Sequence, residues 1–427
     1  MKTIVKLLMM AAVCLSLSTL AFGQQAFTIV QVPNSVPNTL TAINDSGQIL
    51  VNKGTATSST IALWSLQSGN TPIELSGQSG VGAAINSVGD IAGAGKESGS
   101  TQVQAFLWEP SGGQHWLGTL GNYPSAANAV NTSDAAVGMS HNTAQVSHAF
   151  LWTEANGMQD LTPDVTSPLG AIATGINSSN EVVGYYYPNG SQYVEGFTWT
   201  EAGGLQNLGP AGTIPMAISD SGTIVGQAPN SAGLKHAFSW TENGGFVDLG
   251  TLGGDSSTAL SINNKGWIVG SSLISAKNGA LVHGFLWTPS GGMQDFTKLA
   301  KFSAGQQIYS VAVNDYGDIA VTTQAHVVML APKITATATS SANPSIVGQA
   351  VTFTVTLSSI AGPPPDGETI EVSESSTIYG TGVLKNGVTQ VTLNGMKAGS
   401  HAIRVTYNGD AYYVSFHQTP ITQVVNP

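Results

Sequence analysis

Three histidines and three aspartates are the residues of this chain whose types and spacing could do chemistry. His148, His236 and His283 each stand two residues before a Phe, and Asp160, Asp248 and Asp295 each follow one of them by 12 positions. Imidazoles in such number could bind a metal, and paired carboxylates could cleave a glycosidic bond. Either chemistry needs its groups on one ion or one bond, with sugar cleavage requiring two carboxyls about 5 to 10 Å apart. Whether they converge depends on the elements that carry them.

Those elements repeat. Trp64, Trp108, Trp152, Trp199, Trp240 and Trp287 each close an "AFLW"-like stretch and recur about every 44 residues, the mark of one supersecondary unit written many times. A second signature reads small residue, Ile or Val, then Asn or Ser, with a turn residue three later. Its copies are Ala42-Ile43-Asn44 to Gly47, Ala84-Ile85-Asn86 to Gly89, Ala129-Val130-Asn131 to Asp134, Gly175-Ile176-Asn177 to Asn180, Ala217-Ile218-Ser219 to Gly222, Ser261-Ile262-Asn263 to Gly266, and Ala312-Val313-Asn314 to Gly317. Gly, Asp and Asn at the last position are the types that tolerate a left-handed backbone, so each copy predicts a tight hairpin whose Asn side chain bonds the turn.

After each turn come a β-branched strand, a variable loop, the Trp strand, a Gly-containing turn and a further strand, which makes four strands per unit. Helical periodicity is almost absent. In Ala149-Phe150-Leu151-Trp152 both parities are apolar, so both faces of the sheet must be covered. The expectation is an all-β fold, a seven-bladed β-propeller of four-stranded blades over residues 24–331. An open solenoid is the competing architecture. The seventh copy lacks a fourth strand, and Phe27 to Pro33 forms an orphan strand able to supply it and close the ring, which a solenoid would not need.

Residues reaching from His236-Ala237-Phe238-Ser239-Trp240 through Asp248-Leu249-Gly250-Thr251-Leu252-Gly253-Gly254 to Ile262-Asn263-Asn264-Lys265-Gly266-Trp267-Ile268-Val269-Gly270 resemble the unit of the bacterial extracellular HAF-repeat family. The resemblance covers about residues 27–331. It is weakest in the first unit, which lacks the Phe, and in the seventh, which has Met329 or Leu330 for the Trp. It implies secretion and a repeat scaffold, and carries no catalytic residues. From Lys333 the Trp period stops. Val351 to Leu357, Val388 to Leu393 and Ala402 to Tyr407 alternate as the strands of a small sandwich. Residues 333–427 resemble a bacterial immunoglobulin-like repeat domain, through Pro344 to Phe353, the Pro-rich turn before Gly367, Ala398 to His401, and Tyr407-Asn408-Gly409-Asp410.

Composition narrows the function classes. Charged residues are only 9% of the 427, and Arg404 is the sole arginine. Residues 1–23 have the basic start, apolar middle and small-residue end of a signal peptide, and their removal takes the formal charge from −11 to −13. A basic surface for nucleic acid or anionic lipid is therefore excluded, and no further stretch is apolar enough to enter a membrane. The sole cysteine, Cys14, lies inside that leader, which leaves no disulfide or thiolate site. The expected location is extracellular or periplasmic; nothing in the sequence specifies an oligomeric state.

Placed in the repeat, the histidines fall in three different blades, so no metal site or cofactor is expected and each is read as capping its strand at the surface. The aspartates likewise sit apart, each satisfying local turn amides. The three aligned positions of every innermost strand carry no charge, which predicts a chemically bare channel. No catalytic set follows, and the protein is read as a non-enzyme. What remains is the face where second-to-third-strand loops meet the blade-to-blade crossovers. Tyr185, Tyr186, Tyr187 and Tyr193, with Tyr123 in the preceding crossover, could stack on sugar rings or anchor a protein; alternatively, alternate tyrosines of that run belong to a strand. The expectation is a secreted binding or adhesion module for a glycan or extracellular protein. A carbohydrate-active enzyme and a passive structural protein are the alternatives.

Overall fold

The computed structural model describes residues 25–33, 35, 41–55, 58–73, 75, 77–275, 281–302 and 307–427. The leader and Cys14 lie outside these. Seven four-stranded antiparallel sheets follow one another along the chain, each in the order innermost to outermost strand. The seventh is composite. Phe27–Gln31 pairs antiparallel with Val327–Pro332, with Phe27 opposite Pro332 and Gln31 opposite Val328. The orphan strand thus closes the ring, and Phe27 is buried in the core of the last two blades.

The repeated residue types have packing reasons. In blades two to six the innermost strand bulges one residue before the small residue of the signature. Two residues before the bulge a carbonyl of the innermost strand presses onto the second strand, where a Cβ at Gly138 would lie 2.0 Å from Ala126 O and one at Gly270 2.0 Å from Thr258 O. Only glycine fits beneath it. Blades one and seven do not bulge at that point and carry Val51 and Val321 there. The Trp of each unit packs between blades, and in blade seven the register opposite Ile319 gives that position to Leu330. Crossovers are pinned by serines, as where Ser257 Oγ donates to Gly250 O and accepts from Ala237 N.

Among the described residues one helix breaks the all-strand pattern: Phe296–Ala300, capped by Asp295, in the crossover from blade six to blade seven. Five residues are too few for the periodicity to register. Among the described residues no helix is long and apolar enough to cross a membrane.

Thr335–Ser340, Val351–Ser358 and Val388–Leu393 form one sheet of the second domain, and a second sheet contains Thr369–Glu374, Thr377–Val383, Gly399–Tyr407 and Ile421–Asn426. Val355, Phe353, Val372, Ile403 and Tyr407 fill the space between them. This sandwich docks on the turn ends of blades six, seven and one. Tyr412 stacks on Tyr316 at 3.7 Å, Ile360 and Ala361 pack against the core that contains Trp267, and Ala411 covers Gly47.

Candidate functional site

The seven small residues Ala42, Ala84, Ala129, Gly175, Ala217, Ser261 and Ala312 line a central cavity of about 440 Å3. At its turn-side mouth the signature asparagines form a ladder. Each Oδ1 accepts from backbone N–H groups two and four residues on, as Asn44 does from Ser46 and Gln48. Each Nδ2 donates to the backbone carbonyl of the next blade: Asn44 to Asn86, Asn86 to Asn131, Asn131 to Asn177, Asn177 to Ser219, Asn263 to Asn314, and Asn314 back to Asn44. Aspartate could accept but not donate, which is why the residue is Asn. Ser219 leaves the single gap.

A bare channel was expected, but the mouth is acidic. In blades one, five and seven the residue after the signature is an aspartate, Asp45, Asp220 and Asp315, one position beyond the aligned triplet. Their carboxylates carry a second set of links, with Asp220 Oδ1 accepting from Ser178 N at 2.9 Å, Asp315 Oδ1 from Asn264 N at 2.7 Å and Asp45 Oδ1 from Asp315 N at 2.8 Å. Burial raises the pKa of Asp45 against the lowering effect of that bond, and the nearby Asp315 and Asp220 charges raise it further. Burial also opposes ionisation of Asp220, but its bonds from Ser178 and Asn264 outweigh this and hold it below the usual range.

Asp134 and Asn180, the two turn residues that are not glycine, have φ of 59° and 60°. Both also bridge blades. Asn180 Oδ1 accepts from Asn131 Nδ2 at 2.7 Å, and Asp134 bonds Asp90 of the preceding blade; burial and that acidic partner push its pKa up to about 6.

Two of the histidines, His148 and His283, are buried rather than capping strands at the surface, and His236 is half-buried beside an exposed Asp248. His148 is 2% exposed and His283 6%, and each of the three donates through Nδ1 to the aspartate of its own blade: His148 to Asp160 at 2.7 Å, His236 to Asp248 at 2.9 Å, His283 to Asp295 at 2.9 Å. The two-residue side-chain parity of adjacent antiparallel strands brings each pair together. The aspartates also bind turn amides as expected, Thr162 N, Gly250 N and Thr297 N respectively. The three pairs remain in three blades. Among the described residues no group of three or more His, Cys, Asp or Glu side chains could hold a metal. In blade four Glu195 takes the histidine position and Asn207 the aspartate position.

The tyrosines divide by strand parity. Tyr185 and Tyr186 lie in the strand Val182–Tyr186. Tyr186 packs toward blade three, and its hydroxyl lies 3.0 Å from Glu195 Oε2 and 2.8 Å from Asn207 Oδ1, both acceptors for its one proton. Burial first, then the Glu195 bond, raises its pKa. Tyr185 points the other way and meets Tyr187 edge to face at 6.4 Å. Tyr193 is 73% exposed in the loop that follows. Tyr123 stands apart in the crossover before blade three, where its hydroxyl accepts from Gln145 Nε2 at 3.2 Å. The structure therefore pairs Tyr185 with Tyr187, turns Tyr186 to the other face of the sheet, keeps Tyr193 in the loop that follows, and leaves Tyr123 in the crossover before blade three.

Between blades three and four, on that same crossover face, lies a cavity of about 410 Å3 walled by Leu161, Pro163, Val165, Tyr186, Pro188 and Leu205. Asn189 ties its two loops together, accepting from Thr166 N at 2.8 Å and donating to Asp164 O at 3.2 Å. Only Tyr186 of this wall was singled out from sequence. Leu205 belongs to the outermost strand of blade four, and the others are single apolar residues in loops, with nothing in the sequence to mark them as one wall.

Residues 335–426 match the family model described as bacterial Ig-like domain (group 3). Against curated proteins the sequence finds no match. Among solved structures, a streptogramin B lyase is 14% identical over 73% of this chain and 100% of its own, with a TM-score of 0.44. The WD40 domain of a coronin from Toxoplasma gondii is 9% identical over 72% and 86%, with a TM-score of 0.42. TolB from Acinetobacter baumannii is 12% identical over 66% and 78%, with a TM-score of 0.40. The chain is a β-propeller followed by an Ig-like sandwich.

Proposed function

We propose that the protein is a secreted, non-catalytic binding module of the HAF-repeat type, which recognises a glycan or an extracellular protein through the crossover face of blades three and four. The observation that carries the reading is the division of the two faces. The Ig-like domain occupies the turn face, and the tyrosines with the 410 Å3 cavity stand on the opposite one. A cavity of that size, mostly apolar and held by a few polar ties, has the form of small-ligand sites of about 300 to 1,000 Å3. Binding is favoured over catalysis because each aspartate once considered for sugar cleavage is bonded to a histidine in its own blade.

The test is a glycan array and a pull-down from extracellular material, with Tyr185→Ala, Tyr187→Ala and Tyr193→Ala combined in one variant. Tyr186 is left in place because its hydroxyl is part of the blade. Loss of a bound ligand with an unchanged unfolding temperature is the expected result. Turnover of a polysaccharide by the unmodified protein would replace this reading with that of a carbohydrate-active enzyme.

A further inference from the structure

His148 faces more partners than one protonation state can satisfy. Its Nδ1 lies 2.7 Å from Asp160 Oδ2, and its Nε2 lies 2.9 Å from Val165 O and 3.0 Å from Asn142 Nδ2. The carbonyl can only accept and the amide nitrogen can only donate. The amide cannot be turned around, because Asn142 Oδ1 already accepts from Ala144 N at 2.9 Å and Val146 N at 3.0 Å. A doubly protonated ring bonds Asp160 and Val165 and leaves the Asn142 N–H facing another donor. A ring protonated on Nδ1 alone keeps Asp160, accepts from Asn142 and leaves Val165 O without its donor. One proton selects between the two sets.

Val165 belongs to the wall of the cavity between blades three and four. We infer that His148 is a proton-operated latch on that wall, closed by a bond to Val165 O when the imidazole is cationic and released to Asn142 when it is neutral, so that ligand binding at the cavity is stronger in mildly acidic surroundings. This rests on the cavity being the binding site proposed above.

The other two pairs provide internal controls. His236 bonds Asp248 and approaches Asn230 Nδ2 at 3.3 Å, and His283 bonds Asp295 with its Nε2 unpartnered. Among the described residues neither reaches a crossover carbonyl. The titratable groups around His148 are Asp160 on the outermost strand, Asp164 in the crossover, and Tyr186 with Glu195 on blade four. His141 ends the second strand with its Nδ1 3.3 Å from Pro124 O, and the 142–146 loop carries no titratable side chain.

The test needs no ligand. Imidazole 15N–1H correlation spectra of the full secreted chain, labelled in histidine, follow the ring from pH 5 to 8 while hydrogen exchange follows residues 161–170. The expected result is a ring protonated at both nitrogens at low pH, then at Nδ1 alone, with exchange in 161–170 rising about tenfold in step, once corrected for intrinsic rates. The blade-five crossover at 250–256 should not respond. Asn142→Asp keeps the turn acceptor but exchanges the competing donor for a charge, and should move both transitions up by about one pH unit. A ring held in one form throughout, or exchange that ignores its titration, overturns the latch. If ring and crossover titrate together while the tyrosine variant shows no ligand to lose, the latch stands and the binding reading falls.

Discussion

The two faces of the propeller are built on different principles. The turn face repeats one arrangement around the ring: an asparagine that bonds its own turn through Oδ1 and the next blade through Nδ2. The crossover face repeats less: His–Asp pairs recur in three blades and the serine pin in two crossovers, while ties such as Asn189 to Asp164 and Tyr186 to Glu195 occur once each. Repetition suits the face that must close a ring, because every blade presents the same problem. A surface that selects a partner must differ from blade to blade.

The contrast breaks most sharply at Asn314. This residue joins blade seven to Asn44 and holds Asp318 Oδ2 at 3.1 Å. Asn314→Ala should cost about 3 kcal/mol, since it strands a buried carbonyl and a buried carboxyl together, and chemical denaturation would measure it. A loss below about 1 kcal/mol would mean that the ladder decorates a ring held by packing alone.

Gly47 and Gly245 separate the strain of a left-handed turn from the contact with the second domain. Both have positive φ, but a Cβ on Gly47 would lie 2.6 Å from Ala411 O while one on Gly245 meets nothing within 4 Å. Gly245→Ala should cost about 1 kcal/mol, and Gly47→Ala about 3 kcal/mol with displacement of the sandwich. Equal losses would show the docking to be loose; small-angle scattering would register the displacement.

Asp318 lies under the same contact, fully buried with Oδ1 unpartnered. Burial, and then the charge of Asp410, raise its pKa well above the ordinary value, against the lowering effect of Asn314. The folded chain therefore holds this proton more tightly than the unfolded chain. Its contribution is full below the unfolded carboxylate range and is lost as pH rises through the raised folded value. Asp318→Asn should stabilise the protein at neutral pH by about 1 to 2 kcal/mol and flatten its pH profile on that side. Unfolding at pH 4 and pH 7 decides it, and an unchanged difference between the two would remove Asp318 from the account. The smallest effect is expected at the gap in the ladder. Ser219→Asn supplies the missing donor toward Asn263 O and should add about 1 kcal/mol, read as a rise in unfolding temperature.

The architecture was legible because its signals are local and repeated. Trp spacing marks the blades, the Asn-to-Gly interval marks the turns, and the unmatched strand Phe27 to Pro33 marks the closure that Phe27 and Pro332 make. The site was much less legible. Tyr186 could be singled out as an aromatic in a variable region, but Leu161 and Leu205 stand at ordinary repeat positions, matching Leu249 and Phe246, and Pro163 belongs to no pattern. The acids of the channel mouth went unseen because Asp45, Asp220 and Asp315 stand just past the repeated triplet, where blades two, three and four carry Ser87, Thr132 and Ser178. Surface placement of His148 failed for a related reason: the 12-residue interval to Asp160 is visible, but its depth under the crossover is not.

By itself the sequence determined the unit, its strands, its turns and the complementarity of its ends, since these follow from periodicity and backbone preference within a few residues. Tertiary structure alone decided what lies between units: which carbonyl each Asn Nδ2 reaches, which histidine finds a crossover, and which turns the second domain covers. Those contacts join residues from 17 positions to a whole repeat or more apart, and the curvature of the ring, which no local pattern encodes, sets their distances.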